Sequence, residues 1–144
     1  MITRAVDPGL CTGYAWFRDK TLIDCGVTTK AKGICGAVRP DEFIIEMPMI
    51  YPTTPNPNDI VTLAADIGWW EYQFQGSRCA RTWPTSWKGQ VPKEIHHTRL
   101  MKALTAGEAA IIPKLPKTKL HNCLDAVALG MWKVGRMGRG GTAP

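Results

Sequence analysis

The chain has 144 residues, 44% hydrophobic and 21% charged, which suits one globular domain with one core. No run approaches the ~18 apolar residues that a membrane helix needs, and residues 1–7 have no long apolar stretch like that of a secretory leader, so a cytoplasmic protein is expected. The net charge of +6 is uneven: residues 1–72 hold six Lys and Arg against nine Asp and Glu, whereas residues 73–144 hold twelve against three, the footprint of a polyanion binder.

Taken in chain order, residues 1–6 read as a strand running into the turn Asp7-Pro8-Gly9. Residues 13–18 are aromatic-rich and strand-prone, Asp19-Lys20 is a short polar turn, and residues 21–27 complete an antiparallel meander. Residues 30–39 contain glycine and allow at most one helical turn. Phe43-Ile44-Ile45-Glu46-Met47 is a short apolar run closed by Pro48, the pattern of a buried strand. Four prolines make residues 48–57 a loop, after which Asn56-Pro57-x-Asp59 has the chemistry of a helix start. Ile60, Leu63, Ile67, Trp70 and Phe74 then recur at helical spacing, predicting an amphipathic helix over 57–75.

Residues 78–83 suit a strand, 84–91 a loop, and 92–104 a second helix. Residues 111–119 form a Pro- and Lys-rich connection. In the last helix, 121–135, Leu120, Leu124, Val127, Met131 and Val134 fall on one side, with Asp125 at its margin. The tail, 136–144, is Gly-rich and basic, and disorder is expected there. Strands followed by alternating helix and strand predict an α/β fold, a mixed sheet flanked by helices, with the domain at 1–135. Cys11, Cys25, Cys35, Cys79 and Cys123 include no Cys-x-x-Cys pair, so reduced thiols are expected rather than a zinc or redox motif.

Three acids stand where local rules disfavour them. Asp7 ends a strand, Glu46 lies inside a run that should be buried on both faces, and Asp125 sits mid-helix beside an apolar stripe. Each has an ordinary reading as well: a turn residue, a strand-end ion pair, a solvated helix margin. Together they suggest convergence on one spot, where carboxylates repel unless a cation lies between them. Hard ions such as Mg²⁺ prefer oxygen donors, and two such ions ~4 Å apart can drive phosphodiester hydrolysis.

The opening Ala5-Val6-Asp7-Pro8-Gly9-x-x-Thr12-Gly13-Tyr14-Ala15 resembles the first strand and turn of the RuvC-type Holliday junction resolvases, especially their short bacteriophage versions. Phe43-Ile44-Ile45-Glu46 resembles that family's acidic central strand, and His121-Asn122-x-x-Asp125-Ala126 its C-terminal helix motif. Trp87-Lys88-Gly89-Gln90-Val91-Pro92-Lys93 also looks like a segment of phage members. The resemblance spans about residues 3–133, in order. It implies an RNase H-like fold, a homodimer, and paired nicks across a four-way DNA junction with Mg²⁺ or Mn²⁺, two ions per site, in the host cytoplasm if a phage encodes the chain.

Carried over, Asp7, Glu46 and Asp125 match metal ligands. The family has Asp or His three residues before the last Asp, where this chain has Asn122. His121 lies on the other flank of Asp125 and is favoured as the further catalytic ligand, because imidazole is the better ligand or proton acceptor, with Asn122 as the alternative. Lys88, Lys93, Arg99, Lys117, Lys119 and Trp87 are expected to contact DNA, and Met49, Ile50 and Tyr51 to wedge into the junction. Trp83 reads as core, and His96 and His97 as a solvated helix face. Rival functions are an RNase H-like nuclease acting on RNA–DNA hybrids or flaps, and a DNA-binding module of the same fold without catalysis. A two-domain sugar-kinase or actin-like ATPase is excluded by length.

Overall fold

The expected meander forms at the start of the chain. Strands β1 (Ile2–Asp7), β2 (Thr12–Arg18) and β3 (Thr21–Thr28) pair antiparallel in succession. Asp19 makes the tight reversal between β2 and β3 at φ 56°, a conformation that Asp tolerates better than most residues. The computed structural model describes residues 1–29, 39–49 and 56–144, so the expectation for 30–38 and most of the proline loop lies outside the described residues. Strands β4 (Glu42–Glu46) and β5 (Arg78–Thr82) add in parallel on the other side of β1, giving the sheet order β3-β2-β1-β4-β5.

Helix α1 (Pro57–Gln73) begins as its sequence predicts, with the Asn56 side chain accepting from the Asn58 amide at 3.1 Å. Its Ile67 and Trp70 pack on Val6, Phe43 and Ile45, covering one face of the sheet. Arg4 is buried on the same face without a hydrogen-bond partner, its guanidinium 4.1 Å from the Trp16 ring and 4.6 Å from Phe74. Cation–π contact offsets part of that desolvation, and burial still pulls the Arg4 pKa down to about 9.

The opposite face holds the larger core. Helix α5 (Lys117–Lys133) lies across β1, β2, β3 and β4, starting a turn earlier than the sequence suggests. Every residue from Cys123 to Met131 is buried, so the expected one-sided stripe is replaced by burial all round. The reason is a second layer, helix α3 (Lys93–Ala103) and the chain's end, packed on the far side of α5. Two glycines permit the close approach to the sheet: a Cβ on Gly13 would meet the Asn122 carbonyl oxygen at 1.9 Å, and one on Gly130 the Phe17 ring at 2.1 Å.

Two elements depart from expectation. Residues 84–91 contain a helical turn, α2 (Pro84–Trp87), and α4 (Ala106–Ile111) follows a Thr105/Glu108 capping box in a stretch that periodicity leaves unassigned. The tail is docked rather than disordered. Met137 is buried, Arg99 Nη1 donates to the Gly140 carbonyl at 2.7 Å, and the Arg136 guanidinium pairs bidentately with Glu108. Glu108 also accepts from the Leu22 and Thr105 amides, each at 2.9 Å. These bonds outweigh the upward push of burial and hold its pKa down at about 2.

Because breaking one side of a buried pair strands the other charge, Glu108→Gln is expected to destabilise the fold by about 3 kcal/mol. The depressed carboxylate contributes above the unfolded-state pKa and loses its contribution as pH falls toward 2. Urea denaturation at neutral pH and near pH 2 checks both, since the difference between the proteins should shrink in acid.

Candidate active site

Period-2 geometry sets the first two acids. Ala5 and Ile44 both belong to the core on the α5 face, so Asp7 and Glu46, two residues further along their strands, turn toward the same face. Register completes the match, since Val6 pairs with Ile45 at the ends of two adjacent parallel strands. The turn after Asp7 is pinned from α5: Asn122 Nδ2 donates to the Cys11 carbonyl at 2.8 Å, and Thr12 Oγ1 donates to the Gly9 carbonyl at 2.9 Å. Asp125, one helical turn beyond Asn122, faces the two strand acids and interacts electrostatically with both.

The three carboxylates differ in charge environment. Burial, and then repulsion by Glu46 and Asp125, drives the Asp7 pKa well above the ordinary carboxylate range. Glu46 is raised too, chiefly by burial, with Lys88 and a 2.8 Å hydrogen bond from Trp87 Nε1 pulling the other way. Asp125 goes down. Burial alone would raise it, but His97 Nε2–H donates to Oδ1 at 2.8 Å, Lys88 Nζ lies 3.1 Å from Oδ1, and Lys93 Nζ lies 3.1 Å from Oδ2.

Several predicted roles are relocated. Trp87 is buried at 1% exposure on its helical turn, hydrogen-bonded to Glu46 and edge-on to His96, so it is no DNA-stacking residue. Trp83, expected in the core, is 49% exposed instead. His96 is buried and His97 faces Asp125, so neither belongs to a solvated face. His121 Nδ1 contacts the Lys117 carbonyl at 3.2 Å rather than an acid, and its ring lines a cleft of about 370 Å³ with Lys93, His97 and Lys117. Asn122 is engaged by the β1–β2 turn. Arg99 anchors the tail, while Lys117 and Lys119 are exposed at the start of α5. Of the expected wedge, Met49 is half-buried, and Ile50 and Tyr51 lie outside the described residues.

His97 was invisible to sequence reasoning because no local spacing links α3 to Asp125. The weak signal was two adjacent histidines one turn into a helix that starts beside Lys88 and Lys93.

As placed, no three His, Cys, Asp or Glu side chains among the described residues close up tightly enough to grip an ion. The donor chemistry nevertheless fits a hard divalent cation. The carboxylates supply oxygen, two of them are driven toward protonation by burial and by repulsion from their neighbours, and the ammonium groups of Lys88 and Lys93 stand as cations against the third. The four described cysteines, Cys11, Cys25, Cys79 and Cys123, are free thiols remote from that role. No helix among the described residues is long and apolar enough to cross a membrane.

No protein-family model and no curated protein matches the chain. Solved structures do. RuvC of T. thermophilus in complex with a Holliday junction substrate superposes with TM-score 0.62 at 13% identity, covering 91% of each chain. A second Thermus thermophilus RuvC structure gives 0.59 at 13% identity, over 92% of this chain and 95% of that one. The Fowlpox virus resolvase, in complex with substrate Holliday junction DNA, gives 0.53 at 18% identity, over 93% and 99%. The chain therefore has the RNase H-like fold of the RuvC-type resolvases, a mixed five-stranded sheet flanked by helices.

Proposed function

We propose that the chain is a metal-dependent endonuclease that cuts four-way DNA junctions, with Asp7, Glu46 and Asp125 as its metal-holding residues. The observation that carries this reading is the convergence of three carboxylates from β1, β4 and α5 on one side of a sheet whose fold is shared with junction-bound resolvases. Mg²⁺, with Mn²⁺ as a substitute, would supply Lewis acidity and an activated water when bound there as a pair of ions. Asp7 and Glu46 contribute oxygen donors from rigid strand ends, and Trp87 fixes the orientation of Glu46 through its indole N–H. Lys88 and Lys93 neutralise Asp125 and lie where backbone phosphates of a bound strand would approach, with Lys117 and Lys119 extending the basic surface. A four-way junction has two strands to cut related by a two-fold axis, which a homodimer matches.

The test is a substrate panel of four-way junction, linear duplex, flap and RNA–DNA hybrid, each end-labelled and incubated with Mg²⁺ or EDTA. Paired, Mg²⁺-dependent nicks confined to the junction are expected. Preferential cutting of the hybrid or the flap would move the protein to another RNase H-like activity. Junction binding without cleavage in any metal would make it a binding module.

A further inference from the structure

The imidazole hydrogen-bonded to the carboxylate cluster comes from α3, not from α5. His97 Nε2 lies 2.8 Å from Asp125 Oδ1, and the ring is only partly exposed. Both α5 residues beside Asp125 are turned elsewhere, Asn122 to the Cys11 carbonyl and His121 to the Lys117 carbonyl. His97 is also held from behind, because its neighbour His96 is buried against Trp87, which in turn is bonded to Glu46.

The separation is that of a hydrogen bond and is also close to the spacing of two donors that share one ion. Two donors in neighbouring positions around an octahedral Mg²⁺ or Mn²⁺, each ~2.1 Å from the ion, lie about 3 Å apart. Nε2 of His97 and Oδ1 of Asp125 already have that spacing. We infer that His97 is the imidazole ligand of the metal site, sharing an ion with Asp125, and that His121 and Asn122 are not ligands.

This rests on the metal-dependent reading above. Nε2 now faces the carboxylate as an N–H donor. As a ligand it must offer its lone pair, so the neutral ring carries its proton on Nδ1 instead. The charged groups facing the same carboxylate are Lys88 on Oδ1 and Lys93 on Oδ2, and at least the Lys88 ammonium has to withdraw from Oδ1. The cleft lined by Lys93, His97, Lys117 and His121 opens on the His97 ring.

The experiment uses Mn²⁺ alone, with no DNA. Pulsed electron paramagnetic resonance of the Mn²⁺-loaded chain is expected to show imidazole ¹⁴N coupling. The signal should survive in His121→Ala and Asn122→Ala and vanish in His97→Gln, whose Mn²⁺ affinity should fall by ~10-fold or more. Circular dichroism of each variant, and partial recovery of affinity in His97→Asp, separate ligation from misfolding. Loss of the coupling in His121→Ala with retention in His97→Gln would overturn the inference, as would Mn²⁺ bound without nitrogen coupling. No Mn²⁺ binding at all would remove both the inference and the metal dependence. Nitrogen-coupled Mn²⁺ in a protein that leaves junctions uncut would keep the inference and remove the proposed substrate.

Discussion

Asp7→Asn and Asp125→Asn are expected to shift the melting temperature of the metal-free protein in opposite directions while both abolish cleavage. Asp7 is buried beside two other carboxylates, and its pKa is raised well above the usual range. A group with a raised folded-state pKa loses its stabilising contribution as pH rises through that pKa, so at neutral pH its ionisation opposes folding. Asparagine keeps the shape and removes the charge, and the metal-free fold becomes more stable. Asp125 has the reverse sign. Its depressed pKa means that its stabilising contribution is present above the unfolded-state value and is lost only in strong acid. The amide would leave His97, Lys93 and a Lys88 side chain only 17% exposed around a neutral group. Stranding such a charge costs about 3 kcal/mol, or on the order of 10 °C for a chain of this length. Metal-assisted charge stabilisation is worth several kcal/mol, so each variant should lose ~10³-fold or more in cleavage rate. Calorimetry in EDTA, paired with junction cleavage in Mg²⁺, reads both. Equal destabilisation by the two variants would mean that the cluster is not asymmetrically charged as described.

That asymmetry marks the boundary of what the sequence made legible. Strand acids are readable because Asp7 ends a strand at a turn and Glu46 interrupts a buried apolar run, and the antiparallel meander follows from strand propensity and a polar turn. Asp125 is readable as an anomaly beside an apolar stripe. Its partners are not, because Lys88, Lys93 and His97 arrive through a helical turn and a helix whose docking depends on tertiary packing. The same cause explains the exchanged tryptophans. Trp83 lies two residues from Arg81 and Trp87 next to Lys88, and only the turn at Pro84–Trp87 decides which indole is folded inward to Glu46. The tail misled for a different reason: glycine content signalled disorder, but Gly140 and Gly141, at φ 69° and 76°, let the backbone fold back onto Arg99.

Acidification offers the second large effect, through His96. Its side chain is 1% exposed, edge-on to Trp87 at 5.3 Å between ring centres, and its Nδ1 has no hydrogen-bond partner. Burial foremost, then Lys88, pushes its pKa down to about 4, with His97 and Arg99 adding repulsion and Asp125 opposing them. The ring is therefore neutral in the folded protein and gains a proton on unfolding near pH 6. With the folded pKa depressed below the ordinary ~6.5, the native state holds its full advantage above pH ~6.5 and loses it as pH falls toward 4. The shift corresponds to about 3 kcal/mol across that window. Asp7 and Glu46, with raised pKa values, act in the opposite sense on acidification, so the wild-type slope alone is ambiguous. His96→Phe isolates the histidine: it keeps an apolar ring against Trp87 and removes the titration. Urea midpoints measured in steps from pH 7 to pH 4 should fall less steeply for the variant, with the two proteins within about 1 kcal/mol at pH 7. Parallel slopes would show that His96 does not titrate with unfolding, and the acid sensitivity of the site would then lie with its carboxylates.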